Sequence, residues 1–271
     1  IIYTDNIPIL ALFFKLFKGI IYNKFQYFSL WITLTFFLQL FFSYLLIKKA
    51  TKNNIFAFFS SFIFLLCPFL FFRLSIHFAL GAHWIILYAF YIAYFIQEKD
   101  KEIHWFVVIF LSTLIHFYFT AMIFTIYSSF LLAEIIKKKN LKYIKKLIYK
   151  LLFTFSLMFL VGYFESSPVN SISRGYGVFK LDLLGFFDPK FGSGNSWSIF
   201  MPDIKGTNIE GFNYIGLGLI ILFIISLISI FKKDKSKLEN FNLFKFQNFY
   251  IIIFFFWALT TDFSIMGNNI F

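Results

Sequence analysis

The chain has 271 residues, 60% of them hydrophobic and 25% aromatic, with a formal net charge of +12. So much apolar surface exceeds what a soluble domain can bury, so the composition points to an all-α polytopic membrane protein. The basic excess would suit a nucleic acid, but the lysines stand at the ends of apolar runs, as they do beside membranes; nucleic acid is excluded as a partner and a lipid bilayer is expected.

In chain order, residues 1–26 come first. "IPILALFFKLFKGIIY" reads as an outer interfacial helix, because Lys15 and Lys18 would be costly at membrane depth; a span is the competing reading. Apolar runs then predict spans at about 27–47, 55–72, 83–97, 104–117, 118–136, 151–164, 213–231 and 246–262, eight in all. The stretch 104–136 is too long for one span and is split at His116–Tyr118. Residues 138–150 read as an amphipathic helix on the anionic inner leaflet, and 165–212 as one long outer loop. The whole is expected to be a single multispan domain. It reads as an internal piece of a longer protein, incomplete at both ends, with at least one upstream span missing. Cys67 is the only cysteine, which excludes intramolecular disulfides and a cysteine-based metal cluster.

Lysine sets the expected orientation. The connections 48–54, 98–102, 137–150 and 232–245 hold three, two, seven and five lysines, 17 of the 25 basic residues. Placing them in the cytoplasm gives every span a consistent direction. The outer face then receives Asp5, Arg73, His77, His83, His116, Tyr118 and the loop 165–212. Both arginines and three of the four histidines lie there.

Each of these residues has a structural and a chemical reading. Asp5, followed by Asn6 and Pro8, is either a helix start or a general base or metal ligand beside a phosphate. In a chain with 23 lysines and two arginines, Arg73 and Arg174 point to a need for planar, bidentate donors, as toward phosphate. His77 and His83 are six residues apart, so no local zinc motif exists; with His116 they are either interfacial anchors or a converging polar lining. The long loop is too hydrophobic for a disordered linker and reads as a functional lid. It offers Arg174, Asp188, Trp197, for stacking on a sugar or anchoring in head groups, and Glu210. No predicted span carries a central charge, so the polar chemistry is expected at the interface.

The blocks "YTDNIPILALFFK", "FQYFSLWITLTFFLQ", "HFALGAHWIIL", "HFYFTAM", "LLGFFDPK" and "EGFNYIGLG" resemble, in order from residue 3 to residue 218, a family of large bacterial inner-membrane proteins. That family is itself similar to the GT-C glycosyltransferases. The resemblance implies a helical multispan fold with an outer active site. It also implies transfer of a sugar, with inversion, from a polyprenyl-phosphate donor to a glycan or lipid acceptor of the cell envelope. Asp5 stands where such enzymes carry a catalytic acid or a neighbour of a divalent cation (Mg or Mn), although many of them have a paired acid where this chain has Asn6. His77 and His83 are further candidates for the metal. A flippase for lipid-linked glycans and a non-catalytic membrane scaffold are the alternatives.

Overall fold

The computed structural model describes residues 7–21, 25–165, 182–190, 196–204, 212–232, 249–259, 264–265 and 268–269. The chain divides into two compact units. The first comprises Ile1–Leu66 and Leu70–Ser166; the second comprises Cys67–Phe69 and Ser167–Phe271.

The first unit holds α1 (Pro8–Lys15), α2 (Phe28–Thr51), α3 (Asn54–Leu65), most of α4 (Pro68–Ile76), α5 (Trp84–Phe95), α6 (Glu98–Ile115), α7 (Phe117–Lys138) and α8 (Lys142–Leu160). At eight residues, about 12 Å, α1 is too short to cross a bilayer. By contrast, α2 and α7 are long and apolar enough to span, and α3 with α4 forms a pair bent by 45° that makes a third candidate. The bend falls before Pro68, which has no N–H to donate four residues back, so the Phe64 carbonyl loses its helical partner. The Gln39 side chain supplies the missing bond, Nε2 donating to Phe64 O at 3.3 Å.

Helix α2 is polar inside and apolar outside. Its buried residues are Trp31, Thr35, Gln39 and Ser43, spaced by four and therefore on one face, whereas Leu30, Phe37 and Phe41 are exposed. That pattern suits lipid, where apolar burial gives no drive to helix association and interhelical hydrogen bonds and close packing must supply it. Ser43 donates to backbone carbonyls of its own helix and meets the Ser61 carbonyl of α3.

The sequence predicts a surface helix at 138–150 and a separate span after it. Instead, one continuous α8 runs from Lys142 to Leu160. Two of its lysines are the reason. Lys146 and Lys150 turn onto Glu102 of α6, and the helix is held upright against the bundle rather than laid along its surface. The charged stretch 98–102, expected as a connection, is the first turn of α6. The split at His116 is present: α6 ends at Ile115 and α7 starts at Phe117.

The second unit contains α9 (Leu217–Lys232), α10 (Phe249–Leu259) and a two-residue antiparallel pair, β1 (Ser264–Ile265) with β2 (Asn268–Asn269). Gly216 precedes α9 at φ 92°, a left-handed conformation in which a side chain would be strained.

Candidate functional site

The turns bearing His77, His83 and His116 lie at one end of the first unit, and the lysine-bearing turns at the other, because the helices alternate in direction. Pairing confirms the register: Ser43 faces Ser61 near the lysine end, and Trp31 meets Phe78 at the opposite end.

The connection 77–83 does not skim the surface. At its start, Trp31 Nε1 donates to Phe78 O at 2.7 Å and the Phe28 and Phe78 rings lie 4.9 Å apart. At its end, Trp84 stacks on Phe42 at 5.9 Å, and Tyr88 on the same ring at 4.6 Å. The connection is a series of tight turns that folds back against the last turns of α4, where Gly81 lies against Leu74, and it is enclosed by protein as non-helical backbone in a membrane protein must be. Trp31→Phe removes the upper anchor and is expected to cost about 1 kcal/mol. Melting of the purified protein checks this, and an unchanged midpoint would show that the anchor carries no weight.

Arg73 lies one turn before the end of α4, and its charge acts on His83. The His83 Nδ1 is fully enclosed. Its ring meets Phe119, in the first turn of α7, at 6.3 Å in an edge-on arrangement. The α6–α7 turn therefore sits beside the end of the connection. In that turn His116 caps α7: its Nδ1 accepts from Tyr118 N at 3.2 Å, which places any proton of the neutral ring on Nε2. Tyr118 is exposed, with its ring 4.8 Å from that of His116. His77 lies at the top of the connection, its N–H donating to Arg73 O at 2.7 Å.

Arg73, His83 and the α6–α7 turn are thus brought together in one unit, with His77 at its rim. Asp5, Arg174 and Glu210 lie outside the described residues. Trp197 belongs to the second unit, where its N–H donates to Pro189 O at 2.8 Å and its half-exposed ring meets Phe212 at 6.3 Å. Asp188 is a loop staple: its buried carboxylate accepts from the backbone N–H of Lys190 and of Ile204. Lys190 pairs with Asp203 at 2.8 Å, a hydrogen bond that holds its ammonium above the usual pKa. Among the described residues no group of three or more His, Cys, Asp and Glu could hold a metal ion.

Sequence reading missed a second polar cluster at the lysine end. Glu102 accepts from Lys146 at 2.9 Å and from Lys150, whose ammonium also stands 4.6 Å from the Phe106 ring and 4.8 Å from that of Tyr127. Nearby, the Tyr88 hydroxyl and His104 Nδ1 are hydrogen-bonded at 2.6 Å. Glu102 and Lys150 are 48 residues apart, and no local pattern announces such a pair.

Two helices of spanning length, a bent pair and a polar-inside, apolar-outside α2 define an α-helical membrane protein. The particular family follows from the whole sequence: residues 1–271 match the family described as Domain of unknown function (DUF6311), and the chain belongs to it. No curated protein and no solved structure matches it.

Proposed function

We propose that the protein is a multi-pass enzyme of a bacterial inner membrane, with about eight spans in a GT-C-like arrangement. It moves a sugar from a polyprenyl-phosphate donor to a cell-envelope acceptor on the outer face. The observation that supports this reading best is the gathering of Arg73, His83 and the His116–Tyr118 turn around the connection 77–83. A lipid-borne phosphate needs such a place, reached from the interface and open to a hydrocarbon tail. Arg73 is the phosphate clamp, and His83, its Nδ1 enclosed, lines the site beside it. His77, His116 and Tyr118 supply polar contacts to the sugar. Asp5 is the base or the neighbour of a divalent cation, and Arg174, Trp197 and Glu210 of the long loop are donor-binding candidates by sequence alone.

The test uses purified full-length protein and a radiolabelled polyprenyl-phosphate sugar. Arg73→Ala is expected to lower transfer roughly 100-fold, the scale of losing one preorganised charge-stabilising donor, and Asp5→Asn to abolish it. Transfer at the wild-type rate in Arg73→Ala would remove the clamp from the mechanism. Movement of the intact lipid-linked sugar across vesicles, without transfer, would favour the flippase reading.

A further inference from the structure

We propose that a water molecule is bound in the interior of the helical bundle, halfway along α2, between the Thr35 hydroxyl and the Gln39 side-chain carbonyl. Both residues are buried, at 0% and 4% exposure, and face the protein rather than lipid. Thr35 Oγ1 and Gln39 Oε1 have no hydrogen-bond partner among the described residues. They are one helical turn apart, which sets their Cβ atoms about 5–6 Å from each other.

Gln39 Oε1 can only accept, because the amide hydrogens are on Nε2, and Nε2 already donates to Phe64 O. The two oxygens are not hydrogen-bonded to each other. A water bridges that gap: it donates to Gln39 Oε1 and exchanges a bond with Thr35 Oγ1. The Phe64 carbonyl, stripped of its helical donor by Pro68, keeps a second lone pair for it. Three polar groups are within the two to four that a buried water uses. The remaining polar members of the face are satisfied: Trp31 donates to Phe78 O and Ser43 to Gln39 O.

Position gives the site its meaning. Gln39 is the twelfth of the 24 residues of α2, at the middle of its length and beside the residue where α3 ends against the bend. Water at that place replaces backbone hydrogen bonds lost at the break, so that the bent pair can stand inside a bilayer. The proposal is independent of sugar transfer and holds for any activity of the outer recess.

Two measurements on the full chain in lipid nanodiscs test it. Thr35→Val keeps the shape and removes only the hydroxyl. If the hydroxyl binds water, the variant melts several degrees lower; if the hydroxyl is dry and unsatisfied, its removal raises the midpoint and overturns the proposal. The second measurement uses silver ion, a small reagent that needs thiolate in contact with water. In a Cys67→Ala background, cysteines at Thr35 and Gln39 are expected to react at least tenfold faster than cysteines at the outward-facing Phe37 and Phe41, read as protection from later alkylation. Equal rates at all four positions would overturn it.

Discussion

Glu102→Gln is expected to lower the stability of the protein by about 2 kcal/mol, and Lys150→Met in the same chain to restore most of it. Lys150 is 1% exposed, and its ammonium lies between two aromatic rings with Glu102 as its carboxylate partner. A glutamine keeps the hydrogen bond and loses the charge, so the ammonium stays buried and uncompensated. Breaking a buried pair from one side costs about 3–5 kcal/mol, but Glu102 is 38% exposed, and solvent screening brings the expected figure down to about 2. The aromatic rings retain a part of the cation's stabilisation, about 1 kcal/mol each way. Removing the charge as well leaves an apolar side chain among Phe106 and Tyr127, which costs little. Thermal unfolding of the four chains in one detergent decides the matter. A double variant no more stable than Glu102→Gln alone would show that the pair is not what holds α8 upright.

How much of this was readable beforehand depended on whether the signal was local. The end of α6 and the start of α7 were marked by His116, because a polar residue in a 33-residue apolar run is where two spans must turn. The alternation of lysine-bearing and histidine-bearing turns between the two ends of the first unit was legible, because lysine recurs at every second connection. The run "KKNLKYIKKLIYK" misled for the same reason: its lysines suggest a helix lying in head groups, whereas a carboxylate 44 and 48 residues earlier draws two of them inward. Pro68 was visible as an interruption, but a proline inside a span fixes no bend by itself. The four-residue spacing of Trp31, Thr35, Gln39 and Ser43 stood in the sequence too, yet uncharged polar residues scattered among phenylalanines do not register when only charge at mid-span is sought. Of the proposed site, Arg73, His83 and the His116–Tyr118 turn came together, and the closeness was not legible because it arises from the folding of 77–83 back against α4.

The 77–83 connection is also sensitive to a single methyl group. Gly81→Ala is expected to destabilise the protein by about 1–3 kcal/mol, the usual cost of overfilling a packed interior. A Cβ on Gly81 would stand 2.2 Å from Leu74 Cδ2 and 2.6 Å from its Cγ, and Leu74 is itself buried. A χ2 rotation leaves the Cγ contact in place, so Leu74 must change χ1 inside a packed interior or the backbone must shift. Leu74 adjoins Arg73, and Gly81 is two residues before His83, so a backbone shift at either place moves those two groups relative to each other. Leu74→Ala removes both offending atoms, at the cost of a small void. Combined with Gly81→Ala it should recover more stability than independent effects allow, since the two positions share one space. Under the transfer reading, sugar transfer follows the same pattern, falling in Gly81→Ala and returning in the double variant. Additive losses in the melting temperature would mean that Leu74 and Gly81 do not compete for the same volume, and the close approach that folds the connection against α4 would be refuted.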